Sequence, residues 1–343
     1  MNNTNITEVT SHKHLGVFLS STGHWHEHVN YLISKISPKL NILRKSKFSL
    51  GRYSLQTMYF ILFRSILDYG DIVWDCLTKA QCELLENLQL EAARIVTGGT
   101  KLTSRVKLHT ETGWLPLEER RKHHKLILFH KMVHGLAPQY LLDLLPHRNR
   151  TFHHHDTRTG NDFRPPVCRT TFYNKSFFPS VIHIWNSLPV HVKNNPSINT
   201  LKTHLSKHTH IVPSFYLNGT RLGQIHHARL RMECSSLKFY LFQKNLIDSP
   251  ICSCLQSNET NEHFLLHCRL FSHLRLRIFS EINHPLSVEL LLFGSTNLTE
   301  DKNSLVFSCV QNFIIKSKRF ELWSITVVIL EKLNDCCQTW YGS

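Results

Sequence analysis

Four side chains in the last third of the chain, Cys252, Cys254, His263 and Cys268, form a Cys-x-Cys…His-x4-Cys array of three soft thiolates and one imidazole. Such a set fills the tetrahedral shell of Zn²⁺ with no position left open, which makes the site structural rather than catalytic. His267 follows His263 by one helical turn and is an alternative fourth ligand. The other reading is of reduced cysteines packed as small hydrophobes. It sits poorly with two cysteines flanking a lone serine just after Pro250, a turn-like setting.

The remaining candidates are basic or catalytic in type. Arg120-Arg121-Lys122-His123-His124-Lys125 is the densest basic run. At about 100° per residue six consecutive positions circle a helix, so part of the run must face inward with its stems buried. It reads either as a phosphate-contacting helix, through Arg120, Arg121, Lys122 and Lys125, or as a solvated face. Arg44, Lys45 and Lys47, with Arg52 nearby, form a second cluster that also suits the negative end of a helix dipole. Tyr69-Gly70-Asp71 lacks a partner carboxylate, since Ile72 follows and no Asp-Asp pair occurs in the chain. Two-metal phosphoryl transfer needs paired carboxylates that hold ions about 4 Å apart, so Asp68, Asp71 and Asp75 are expected to line a helix end and loop. His153-His154-His155-Asp156 has metal-binding chemistry in an Arg-rich polar setting and is expected to be an exposed loop. No nucleophile elbow, phosphate-cradling glycine loop or His-Glu-x-x-His helix is present, and no catalytic residue is assigned.

The elements that would position these groups are mostly helical. His14–Leu19 reads as one short strand ending in the turn Ser20–Gly23. Val29, Leu32, Ile33, Ile36, Leu40 and Leu43 then fall at helical spacing. Leu55 to Leu67 marks a second amphipathic helix, and Leu84 to Val96 a third, stopped by Gly98-Gly99. The fourth places Pro116 at its first position, Glu118 and Glu119 at its positive end, and Gly135 and Pro138 at its close. Short connections argue for an antiparallel bundle. The polar stretch 147–170 reads as a linker or loop. Further helices are expected over Phe177–Leu188, Ser197–Leu205 and Leu230–Leu246, and one or two over Leu305–Leu333. The fold class is therefore mainly α: a helical bundle after a short β segment, a small zinc-stapled module and C-terminal helices.

Taken in order, several segments resemble the region after the catalytic aspartates in LINE-type, jockey-like non-LTR retrotransposon reverse transcriptases. They are Lys13-His-Leu-Gly-Val17 with Trp25-His-Glu-His28, Leu67-Asp-Tyr-Gly-Asp-Ile-Val-Trp74, and Leu88-Gln89 with Ala93-Arg-Ile-Val96. Gly113-Trp-Leu-Pro-Leu-Glu-Glu-Arg-Arg121, Ile184-Trp-Asn-Ser-Leu-Pro189 and Glu259–Cys268 complete the series. The resemblance covers roughly residues 8 to 280. It implies a palm remnant over 1–27, a helical thumb over 28–146 and a CCHC zinc knuckle over 246–280. Composition and periodicity place a linker or loop over 147–170, a second helical region over 171–245 and a helical tail over 281–343. The family's activity is RNA-directed DNA synthesis. Because the paired aspartates are absent, only the binding roles of thumb and knuckle carry over.

Bulk composition agrees with a binder. Forty Lys+Arg against 25 Asp+Glu give a net charge of +15 over 343 residues, and 25 histidines add charge in mild acid. This favours polyanionic partners, RNA or an RNA–DNA hybrid, and says nothing of fold. Phe264 and Phe271 beside the cysteines are read as base-stacking rings or as packing beneath the metal site. A protein partner on the former palm-facing surface is the alternative. The opening Met-Asn-Asn-Thr-Asn-Ile-Thr has no signal-peptide blocks, and no apolar run reaches membrane-spanning length. With ten cysteines, the expectation is an intracellular chain, nuclear or cytoplasmic, with thiols free or on metal.

Overall fold

The computed structural model describes residues 8–151, 160–207 and 210–320. The His153–His155 tract and the part of the expected tail beyond Phe320 lie outside them. The fold is mainly helical with one two-stranded hairpin. The longer helices are α1 (His26–Ser46), α2 (Arg52–Tyr59), α3 (Lys79–Thr97), α4 (Arg105–Thr112) and α5 (Leu117–Val133), then α6 (Phe177–Asn186), α7 (Ile198–Ser206), α8 (Arg221–Arg231), α9 (Ser272–Phe279) and α10 (Glu300–Lys316). The chain forms two compact units interleaved in sequence. One comprises Met1–Ile42, Met58–Glu91 and Trp114–His210; the other comprises Leu43–Thr57, Ala92–Gly113 and Ile211–Ser343. This differs from the succession of contiguous segments expected above, because α1, α2 and α3 each run from one unit into the other.

In the first unit β1 (Ser11–His14) pairs antiparallel with β2 (Val17–Ser20), Lys13 opposite Phe18. Leu15 and Gly16 join them at φ 45° and 84°, the double positive φ of a two-residue hairpin turn. The single strand expected over His14–Leu19 is thus corrected: Leu15-Gly16 is a turn. The Tyr69 hydroxyl donates to the Leu15 carbonyl at 2.7 Å. α1 buries Val29, Leu32, Ile36 and Leu40 as their spacing requires. α2 continues through a π-turn, Phe60–Arg64, into Ser65–Leu67. Tyr59, fully buried, stacks on Trp114 at 3.6 Å and donates its hydroxyl to Gln89 at 2.6 Å. α5 begins after Pro116, which sits at the N-cap rather than the first helical position.

α5, α6 and α7 bury Leu126, Phe129, Val181, Ile182, Trp185 and Leu201 in one cluster. Phe163 joins it, only 3% exposed, with its ring 5.1 Å from Phe129. The linker expected over 147–170 is therefore corrected at its second half, which is anchored in the core. Asn186 fixes it further, donating to the Phe163 carbonyl at 2.8 Å.

The second unit centres on α8 and α10. Its core includes Phe215, Leu230, Phe264, Leu265, Phe279, Leu291, Phe307, Val310 and Phe313. α4, which hydrophobic periodicity does not reveal, is capped by Ser104, whose hydroxyl accepts the Lys107 amide. Two consecutive histidines of α8 are buried beside this core. His227 donates Nε2–H to the Leu291 carbonyl at 2.9 Å, and His226 stacks on Phe320 at 5.0 Å. Burial, then the Arg229 charge, lowers the His226 pKa from 6.5 to about 4. Burial pushes His227 well below its ordinary value too. Both stay neutral when folded and protonate on unfolding, so their stabilisation is complete above about pH 6.5 and is lost as pH falls towards 4. His226 alone accounts for about 3 kcal/mol across that window. His226→Phe is expected to flatten this acid limb, read as urea midpoint against pH between 7 and 4.

Candidate metal centre

The Cys/His array occupies a small hairpin followed by a widened helical turn. Ile251 bridges Asn258, and between them the Leu255 amide bonds to the Cys252 carbonyl at 2.9 Å. Leu255 closes this loop at φ 63°. This tight turn places both Cys252 and Cys254 on the inside, with the Ser253 side chain out. The second half of the array depends on a π-turn, His263–His267, in which the Cys268 amide bonds back to the His263 carbonyl at 2.6 Å. In an α-helix residues five apart lie about 140° from each other. The i→i+5 bond of a π-turn stacks them instead, which is how His263 and Cys268 come to face one point.

All four donor atoms lie within 4.8 Å of one another, and all four residues are buried. Cys252 Sγ is 3.7 Å from Cys268 Sγ, and Cys254 Sγ is 3.2 Å from His263 Nε2. A tetrahedral ion with metal–sulfur bonds of about 2.3 Å would set an S···S edge of about 3.8 Å, so the donors fit a closed metal shell. His263 Nδ1 lies 2.7 Å from the Ser257 hydroxyl. Donation there leaves Nε2 as the lone-pair nitrogen towards the thiols, the usual orientation of a metal-ligating histidine. His267 is excluded: it is 63% exposed and faces Glu262 at 3.6 Å.

The electrostatics pull both ways. Burial pushes the Cys252 thiol up to about 12, which opposes the thiolate form that a metal ion requires. At Cys254 burial also raises the pKa, but the Gln256 amide and the neighbouring thiols outweigh it and hold the thiol below its ordinary value. Burial keeps His263 neutral, the form that binds metal. Arg275 braces the module, donating to the Cys268 carbonyl at 2.7 Å and to Phe264 and Leu265 carbonyls at 3.3 Å. The Glu259 carboxylate accepts from the Lys238 amide and from Arg319. Neither brace has a sequence signal of its own.

The aromatic pair packs within the module. Phe264 is fully buried, 5.3 Å from Phe313, and Phe271 lies 5.4 Å from Phe264 and against the cysteines. The base-stacking reading is corrected for Phe264, which has no exposed face; Phe271 is partly buried against the cysteines.

The basic run on α5 is largely spoken for. Arg120, Arg121 and Lys125 are 4%, 2% and 3% exposed. Arg120 pairs with Asp68 at 2.7 Å; Arg121 pairs with Asp75, and Lys125 reaches Asp75 at 2.6 Å and Ser180 at 2.8 Å. Phosphate contact by these three is corrected, because all three are buried inside the first unit, Arg120 against Asp68 and Arg121 and Lys125 sharing Asp75. Lys122 stays at the surface, paired with Glu118 and Glu119. Asp68, Asp71 and His124 also converge within 4.8 Å. Arg64, Arg120 and His124 already engage those carboxylates, so a dication there would have to displace guanidinium groups.

Arg44 and Lys45 end α1, with Lys47 just beyond; Lys45 is exposed and the others half-buried. A surface that the sequence reading passed over lies beside the cysteines. Arg269, His273 and Arg277, at i, i+4 and i+8 along the chain leaving Cys268, are all exposed, with Leu270 and Leu276 between them. His273 and Arg277 lie one turn apart on α9, and Arg269 lies in the short 3-10 turn Arg269–Phe271 that leads into it. No helix among the described residues is long and apolar enough to cross a membrane. No protein-family model, curated protein or solved structure matches the chain.

Proposed function

We propose that the chain is the nucleic-acid-binding C-terminal portion of a LINE-type reverse transcriptase, held by one structural Zn²⁺ and not catalytic by itself. The observation that carries this reading is the buried Cys252–Cys254–His263–Cys268 cluster with an exposed basic face running directly from it. Zn²⁺ bound there would supply folding energy and no reacting position. Arg269, His273 and Arg277 would meet phosphates, joined by Arg44, Lys45 and Lys47; RNA or an RNA–DNA hybrid is the ligand. Anisotropy with a labelled RNA tests it. Affinity is expected to fall by orders of magnitude between about 50 and 200 mM salt. Replacing Arg269, His273 and Arg277 together by alanine is expected to weaken binding and flatten the salt slope by about 2 to 3. Primer extension by the isolated chain would refute the non-catalytic part.

A second reading has its own observation. Leu15, Tyr69 and Val73 are 76%, 56% and 56% exposed, and the inward turn of Arg120, Arg121 and Lys125 removes part of the basic surface. These favour a zinc-stapled helical protein whose partner is another protein. RNA affinity that is absent, or unchanged with salt, would select it.

A further inference from the structure

The C-terminal end of α5 carries a second pair of metal-type ligands that neither the cysteine cluster nor the basic run involves. His130 and His134 are one turn apart, and their ring centroids are 4.4 Å from each other. Both rings are oriented by main-chain carbonyls of one neighbouring segment: His130 Nε2 donates to Asn195 at 2.9 Å and His134 Nε2 to Lys193 at 3.0 Å. Each Nδ1 is thereby left as the lone-pair nitrogen. That of His130, in a residue with no exposed surface, has no hydrogen-bond partner. A buried acceptor left unpaired costs about 1–3 kcal/mol, and a ring nitrogen tied to a carbonyl with the other nitrogen free is the usual setting of a metal-ligating histidine.

From these contacts we infer that His130 and His134 form a second metal site, a two-imidazole chelate for a divalent transition-metal ion of the nickel or copper type. Ring separation is compatible with this ion class. With metal–nitrogen bonds of about 2.0–2.1 Å, two imidazoles at a right angle put their centroids about 4.5 Å apart, and a tetrahedral angle puts them about 5.2 Å apart. The observed spacing matches the right angle of square-planar or octahedral geometry, which nickel and copper adopt. Half-buried His134 leaves room for water to complete the shell. Burial, then His130 and Arg148, lowers the His134 pKa and keeps the imidazole in its ligand form. The Arg148 charge also opposes a dication, so binding is exchangeable rather than structural.

Ni²⁺ alone is the probe, added to the untagged full chain prepared with Zn²⁺, with Tm and stoichiometry read for each protein with and without Ni²⁺. Wild type is expected to take up Ni²⁺ with a rise in Tm. His134→Gln, which keeps an amide donor for the Lys193 carbonyl, is expected to lose that rise. Replacement of His153, His154 and His155 together by asparagine is expected to retain it. A rise that survives in His134→Gln, or disappears in the triple variant, overturns the inference and assigns the ion to other histidines. No rise in wild type overturns it as well.

Discussion

Wild type is expected to carry about one equivalent of zinc, and Cys252→Ser and Cys268→Ser proteins are each expected to lose it and to lose the folded second unit with it. The effect is large because metal-binding energy in such modules, on the order of 10–16 kcal/mol in apparent terms, is comparable with the whole stability of a domain, about 5–15 kcal/mol. The coupling is physical. Phe264, fully buried between the ligands His263 and Cys268, lies 5.3 Å from Phe313 of α10 and 5.4 Å from Phe320. Release of the π-turn therefore releases the surface on which α10 packs. Metal content by atomic emission and melting with and without a chelator are the measurements. His267→Gln, at an exposed position, is expected to keep both metal and melting temperature. Identical melting of wild type with and without the chelator would sink the structural role of the metal.

Part of this site was legible beforehand. Residue types and spacing pointed to three thiolates and one of two histidines as a group that could bind a metal ion, because thiolates and imidazole have few other reasons to cluster in a turn. The choice between His263 and His267 was not legible. At ordinary helical pitch the two histidines share a face, and only a π-turn turns His263 towards Cys268. The main helices of the N-terminal half follow from apolar periodicity, whereas α4 does not, since its buried residues Leu108, Glu111 and Thr112 include a carboxylate and a hydroxyl. The basic run failed for a related reason. Arg120, Arg121 and Lys125 read as surface because charges seldom bury, yet Asp68 and Asp75 lie some fifty residues upstream in the chain and meet them inside. Phe163 was hidden in a stretch whose neighbours are polar. In each miss a long-range partner determined what local composition could not.

Glu111→Gln is expected to be the most destabilising single change outside the metal ligands, at about 3–5 kcal/mol. Glu111 lies buried between two arginines that are 59 and 120 residues away in sequence. Arg52 meets its Oε1 at 2.5 Å, and Arg231 grips both oxygens at 2.9 and 2.6 Å. The Tyr216 ring lies 3.9 Å from the Arg231 guanidinium, and the Gln224 side chain accepts the Arg52 amide at 2.9 Å. Burial alone would raise the Glu111 pKa, but Arg231 and Arg52 outweigh it and hold it below 4.5. The group therefore carries one net positive charge in a dry setting, and the carboxylate is its only anion. Removing that anion leaves two facing guanidinium groups uncompensated. Arg52→Met leaves a neutral, bidentate Glu111–Arg231 pair and is expected to cost less. The depressed carboxyl also contributes stability that is present above about pH 4.5 and is lost as pH falls through the folded value; Glu111→Gln should abolish that step. Urea midpoints at pH 7, with unchanged m-values, give the ordering. Equal midpoints for Glu111→Gln and Arg52→Met would show that the carboxylate does not hold the two guanidinium groups together.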